Sequence, residues 1–231
     1  AQEQPDIFCV QETKAHPEQL DQTLTNPEGY HVTYHSLAVK KGYSGVATFS
    51  KILPDAVETC FGVEKFDNEG RVVQTDYGSF VLLNVYFPNG GMEHRLPYKL
   101  EFYDAFFAYC DGLRAQGRKL LICGDYNTAH QEIDLARPKQ NITTSGFMPI
   151  EREKLDQIVD KGYVDTFREF TTEPEHYTWW SNQQRSHERH VGWRIDYHFV
   201  TKDLFPNVTA YYHQPHIMGS DHCPVVIELE V

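Results

Sequence analysis

A chain of 231 residues, 40% hydrophobic and 13% aromatic, carries enough apolar side chain to bury a sizeable core, which excludes a disordered tail or a flexible linker. Its 21 basic and 33 acidic side chains leave a net charge of −12, which excludes a general polyanion binder built on broad basic patches. A phosphate-bearing substrate would need local help, such as a divalent cation held by clustered carboxylates.

No Ser/Gly/Pro-rich linker or charge block divides the sequence, so a single domain over residues 1–231 is expected. No apolar run reaches bilayer-crossing length, and Ala1-Gln2-Glu3-Gln4-Pro5 lacks the basic and apolar regions of a signal peptide. The expectation is a soluble cytoplasmic protein without a membrane partner. Cys9, Cys60, Cys110, Cys123 and Cys223 are scattered without zinc-site spacing and read as buried free thiols.

Asp6 to Gln11 reads as a strand that runs straight into Glu12, placing a carboxylate just past a buried element. Pro17 to Leu24 predicts a short helix that Asn26-Pro27 ends. Strands are then expected over His31 to Ala38, Ser44 to Ser50, Val57 to Phe61, Arg71 to Asp76 and Phe80 to Tyr86. Gly78-Ser79 fits a hairpin loop between the last two, and Phe87-Pro88-Asn89-Gly90-Gly91 a glycine-rich loop after them.

From Glu93 to Gln116, Leu96, Leu100, Tyr103, Phe106, Phe107, Cys110 and Leu113 recur at helical spacing, and Gly117 ends the helix. Its aromatic stripe reads as core. Lys119 to Cys123 is a continuous apolar run of the kind buried on both faces of a sheet, and Gly124 ends it. Asp125 and Asn127 follow one residue apart, so an extended segment would point both to one side at the sheet edge.

Thr128 to Pro149 is polar and irregular, the sort of long loop that is usually functional or mobile. A helix is expected from Pro149 or Ile150 to about Asp160, then strands at Tyr177 to Ser181, Arg194 to Thr201, Val208 to His213 and Pro224 to Val231. Strands joined partly by helices and partly by hairpins predict an α/β class in which two sheets pack face to face with helices outside. His176, His187, His190, His213 and His216 lack ligand spacing and read as surface residues.

Polar groups gather where strands end: Glu12, Tyr86 with Asn89, Asp125 with Asn127, Asp196, and Ser220-Asp221-His222. Asp196 lies among apolar residues and needs a partner, for which His222 is the natural choice. Carboxylates from separate strands suit magnesium, or manganese as the alternative, either of which polarises a phosphoryl oxygen. Asp125 would then activate water, while Asn127, Tyr86 and His222 donate to the phosphate. That is phosphodiester or phosphomonoester hydrolysis.

Seven motifs carry a resemblance: Val10-Gln11-Glu12-Thr13-Lys14, Gly42 to Ala47, Tyr86-Phe87-Pro88-Asn89, Gly124 to His130, Tyr177-Thr178-Trp179-Trp180, Val191 to Tyr197, and Gly219 to Pro224. Together they are similar to the exonuclease III family of apurinic/apyrimidinic endonucleases, in order and over nearly the whole length. The resemblance implies a four-layered α/β-sandwich of two packed mixed sheets flanked by helices. It also implies magnesium-dependent incision of double-stranded DNA 5′ to abasic sites, with 3′-phosphodiesterase and 3′-to-5′ exonuclease activity on blocked 3′ ends.

Carried over position by position, the resemblance makes Glu12 a metal ligand and Asp221 a further metal carboxylate. Asp125 and Asn127 act on water and phosphate, Tyr86 and Asn89 contact the target phosphate, and Asp196 supports His222. Trp179, Trp193 and Ile195 form the apolar pocket for an extruded abasic sugar. A monomer is expected. The family has a further strand, bearing an active-site Asn, ahead of the segment at Asp6, so an N-terminally incomplete domain is expected. Asn141 to Phe147 is less basic than the resemblance implies, which favours 3′-end processing. The alternatives are a phosphoesterase of this fold acting on another ester and a catalytically dead DNA-binding module.

Overall fold

The computed structural model describes residues 3–36, 38–92, 94–183 and 185–231, with only the backbone for 32–34. In chain order the elements are β1 (Ile7–Gln11), α1 (Gln22–Thr25), β2 (Val32–Ser36), β3 (Val46–Ser50), β4 (Ala56–Glu58), α2 (Glu64–Asp67), β5 (Val72–Asp76), β6 (Val81–Tyr86), α3 (Arg95–Ala115) and β7 (Leu120–Asp125). There follow α4 (Pro138–Asn141), α5 (Pro149–Asp160), β8 (Tyr163–Asp165), α6 (Thr166–Phe170), β9 (Asp196–Thr201), β10 (Val208–His213) and β11 (Val225–Leu229). The class is α/β, as expected. No helix among the described residues is long and apolar enough to cross a membrane.

Two compact units are present, Ala1–Tyr86 with Tyr109–Gly124, and Phe87–Ala108 with Asp125–Val231. In the first unit β3 pairs antiparallel with both β1 and β2, aligning Gln11 and Ser36 with Val46. Strands β4, β5, β6 and β7 lie side by side in that order, and the three-stranded sheet packs on them. Asn84 joins the two layers: its side-chain amide donates to Ala47 O at 2.9 Å and accepts from Gln11 Nε2 at 2.7 Å. A buried amide needs such partners, and these tie β6 to β1 and β3 of the facing sheet.

Every residue of β7 is buried, which explains its unbroken apolar run. Gly124 is dictated by the same packing. Its φ is +145°, and a Cβ there would lie 1.8 Å from Val85 O, so only glycine lets β7 run this close to β6 before Asp125.

In the second unit the aromatic stripe of α3 is core, as its spacing predicts: Phe102, Tyr103, Phe106 and Phe107 are buried and surround Phe87. Phe87 in turn stacks on Tyr126 at 4.2 Å. Strands β8 and β9 pair antiparallel, as do β10 and β11. The loop after β7 is anchored by charge. Arg194 is fully buried and donates to Asp134 at 2.8 Å and to both oxygens of Asp165 at 3.0 and 2.6 Å, while Arg168 also reaches Asp134. Burial works against the Asp134 charge, but Arg194 and then Arg168 overcome it and hold its carboxyl at about 2.

Several expectations shift. The helix predicted over Pro17 to Leu24 is a 3-10 turn, Pro17–Gln19, followed by the separate α1, because Asp21 caps a new start by accepting the Thr23 N–H at 2.8 Å. Tyr177 to Ser181 is no strand: Thr178 and Trp179 both donate to Trp193 O at 2.9 Å, which interrupts the ladder. The Thr128 to Pro149 stretch contains a 3-10 turn, Glu132–Asp134, and α4. The expected helix start Glu93 and strand position Leu37 lie outside the described residues.

His213 was expected at the surface, yet its ring stacks on Phe167 at 4.2 Å, and burial pushes it to about 3. His198, 8% exposed, is likewise pushed by burial to about 3, with Nδ1 3.1 Å from the Tyr211 hydroxyl. A histidine lowered on folding leaves the unfolded chain binding more protons below its ordinary value. Stability is therefore complete above about pH 6.5 and declines as pH falls towards 3. The expected slope for His198 approaches about 1.4 kcal/mol per pH unit below pH 6, so the loss of stability between pH 7 and 5 in urea unfolding should shrink by about 2 kcal/mol in His198→Gln.

Candidate active site

The end of β7 brings the first catalytic candidates together. Asp125 is 5% exposed, and its carboxylate accepts the Asn127 N–H at 2.7 Å and the Asn127 Nδ2 at 2.9 Å. Their meeting differs from the expected extended arrangement. Asn127 has φ +51°, and that left-handed turn, rather than strand alternation, folds its amide back on Asp125. Asn127 Nδ2 also donates to Phe87 O at 3.0 Å, and Asn89 Nδ2 donates to Asn127 Oδ1 at 3.0 Å. Asp125, Asn127 and Asn89 thus form one hydrogen-bonded chain.

Asp196, opening β9, holds His222 as expected. His222 Nδ1 lies 2.9 and 3.1 Å from the two Asp196 oxygens. Burial alone would lower the imidazole, but Asp196, supplemented by Asp125 and Asp221, raises it to about 10, so the ring is a cation at neutral pH. Thr178 is a residue that sequence reasoning missed. Its hydroxyl donates to Asp196 Oδ2 at 2.6 Å and accepts the Ile195 and Asp196 N–H groups at 3.1 Å, fixing the carboxylate under the ring. Its place in Tyr177-Thr178-Trp179-Trp180 was the available signal.

Asp125 is pushed to about 7, chiefly by burial; His222 opposes the shift and Asp196 adds to it. An acid in that range exchanges protons readily at neutral pH.

The apolar candidates also converge. Trp179 and Trp193 meet edge to face at 6.3 Å and pack with Ile195 on Ala129, Leu135 and Phe147, the last three not anticipated from sequence. Asp221 accepts the Trp179 Nε1–H at 3.1 Å, so it orients this wall.

Glu12 and Tyr86 belong to the first unit. Glu12 follows β1 at φ +56°, its side chain is 41% exposed and lies 2.9 Å from Lys14 Nζ, and the turn is pinned by Thr13 N–H to Gly45 O at 3.1 Å. The Tyr86 ring lies beneath the guanidinium of Arg71 at 5.0 Å, and Arg71, 3% exposed, also donates to Tyr86 O at 2.9 Å and to the Tyr43 hydroxyl at 3.0 Å. Arg71 was not singled out in the sequence, where it reads as an ordinary strand residue.

Among the described residues no three His, Cys, Asp or Glu side chains converge into a metal cage. Magnesium keeps several waters and needs only one or two protein carboxylates, so a partly exposed glutamate such as Glu12, set beyond a strand end, fits it. The candidate donors are oxygens, which disfavours zinc.

Residues 1–222 match the sequence model of the Endonuclease/Exonuclease/phosphatase family. The chain is 41% identical over 233 aligned positions to an exodeoxyribonuclease of Bacillus subtilis, covering 100% of this chain and 90% of that protein. It is 40% identical to recombination repair protein 1 of Drosophila melanogaster, covering 97% of this chain but only 33% of that longer protein. An AP endonuclease structure from Archaeoglobus fulgidus superposes with a TM-score of 0.86 at 27% identity, covering 98% of this chain and 90% of that one.

Proposed function

The chain belongs to the Endonuclease/Exonuclease/phosphatase family, and on that premise we propose that it is a DNA-repair nuclease that hydrolyses the phosphodiester 5′ to abasic sites and trims blocked 3′ ends. The observation that carries this reading is the Asp125–Asn127 pair in the same unit as the His222–Asp196 pair and an apolar cluster faced by Trp179 and Trp193. Asp125 takes the proton of the attacking water, a role worth on the order of 10²–10⁴-fold. Its displaced value near 7 suits that task.

Asn127 orients the water and Asn89 holds the phosphate, while the His222 cation offsets negative charge gathering on the phosphoryl oxygens. Asp196 keeps that cation charged and aimed. Trp179, Trp193 and Ile195 accept the extruded sugar, which is least hindered where the base is already missing. Glu12 would hold magnesium, which when bound would stabilise the phosphate and the leaving oxygen. The protein acts as a monomer in the cytoplasm.

The test is cleavage of a labelled duplex containing one abasic analogue, beside an undamaged duplex with a blocked 3′ end, each with magnesium and with chelator. Magnesium-restored incision at the analogue is expected, and chelation should abolish it. Trimming of the 3′ block alone would narrow the enzyme to 3′-end processing. Cleavage of neither would remove the nuclease reading.

A further inference from the structure

Resting on the assignment of Asp125 and Asn127 to water and phosphate, we propose that Lys99, a helix residue with no direct part in the reaction, is a positioning residue that aims the Asn127 side chain from behind. Lys99 lies in α3 with 0% exposure, an unusual setting for an ammonium group. Its Nζ donates to Asn127 O at 2.7 Å and to Glu151 Oε1 at 2.6 Å. Burial lowers the Lys99 ammonium, while Glu151 and Asp125 act to keep it charged.

The contact falls on a residue whose backbone needs holding. Asn127 is left-handed at φ +51°, a conformation that asparagine tolerates better than most residues but holds in place only with local partners. Its N–H is tied to Asp125 at 2.7 Å, and its carbonyl to Lys99. With the main chain gripped at both ends, the amide reaches Asp125, Phe87 O and Asn89 without freedom to swing.

Glu151 braces the lysine in turn, accepting the Gly146 N–H at 2.6 Å and the Met148 N–H at 3.1 Å. Gly90 closes on the same pair: a Cβ there would lie 3.3 Å from Glu151 Oε1 and 3.4 Å from Lys99 Cδ. One buried ion pair therefore underlies both Asn127 and the loop that bears Asn89. If Lys99 served only to neutralise Glu151, its bond to the Asn127 carbonyl would have no consequence for turnover, and this separates the two roles.

Lys99→Met leaves Glu151 buried without its cation, so the neutral pair Lys99→Met with Glu151→Gln is measured beside it, each variant checked for folding by thermal melting. The expected result for the neutral pair is a kcat lowered about 100-fold on the abasic duplex, with KM changed by less than about threefold, as for a misaimed catalytic group. In an Asn127→Gly background, where glycine takes the left-handed turn freely and no side chain remains to aim, adding the pair should lower kcat by less than about threefold. Wild-type rates in the neutral pair would overturn the role, and so would losses that multiply fully in the Asn127→Gly background. Wild-type protein that cuts no phosphate ester would instead overturn the nuclease reading beneath it.

Discussion

Asp125→Ala is expected to reduce kcat by about 10⁴-fold, the upper end of what general-base removal yields. Two losses combine. The variant has no acceptor for the water proton, and Asn127 loses the carboxylate that holds both its N–H and its side-chain amide. Single-turnover cleavage of the abasic duplex reads the effect without interference from product release.

The fold should survive the change. Asp125 is raised by burial to about 7, so the native state disfavours its ionised form. A raised carboxyl contributes stability that is complete below the unfolded value of about 3.9 and is lost as pH rises through 7. Removing it relieves that penalty at pH 8 and offsets the lost hydrogen bonds, leaving the melting temperature within about 4 °C of wild type, roughly a 1–2 kcal/mol margin. Cleavage at the wild-type rate by this variant would end the water-activation role.

His222→Gln is expected to lower kcat by about 10²–10³-fold, the usual effect of removing one preorganised donor from a developing oxyanion. Asp196→Asn should fall in the same range although the imidazole is intact. Without the neighbouring carboxylate, burial is opposed only by the weaker influence of Asp125 and Asp221, so the imidazole is pulled down from its raised value and loses the partner that aims it. The double variant should be scarcely worse than either single one, because both changes disable the same cation. Full multiplication of the two losses would show that Asp196 and His222 act separately.

Local patterns in the sequence foretell a good deal of this molecule. Three- and four-residue recurrence of apolar side chains marks α3, and an unbroken apolar run closed by Gly124 marks β7, since both patterns reflect burial along one element. The same reasoning pairs Asp196 with His222, because an acid among apolar residues requires a partner. Resemblance to a family singles out Trp179, Trp193 and Ile195 together, and the structure packs the three into one apolar cluster.

Other features have no local signature. Lys99 reads as a solvated charge on a helix until Glu151, 52 positions away, is found against it. Thr178 is an unremarkable hydroxyl until Asp196 folds over it, and His213 passes for a surface residue until Phe167 stacks on its ring. Asp125 and Asn127 were expected to align by strand alternation, whereas a left-handed turn, tied at its carbonyl by Lys99, brings them together. The sequence by itself determined the longer and more strongly patterned elements, such as α3 and β7, and which residue types are present for phosphate chemistry. Tertiary structure alone decided which charges are buried against which partners, because desolvation and hydrogen-bond direction depend on groups distant in the chain.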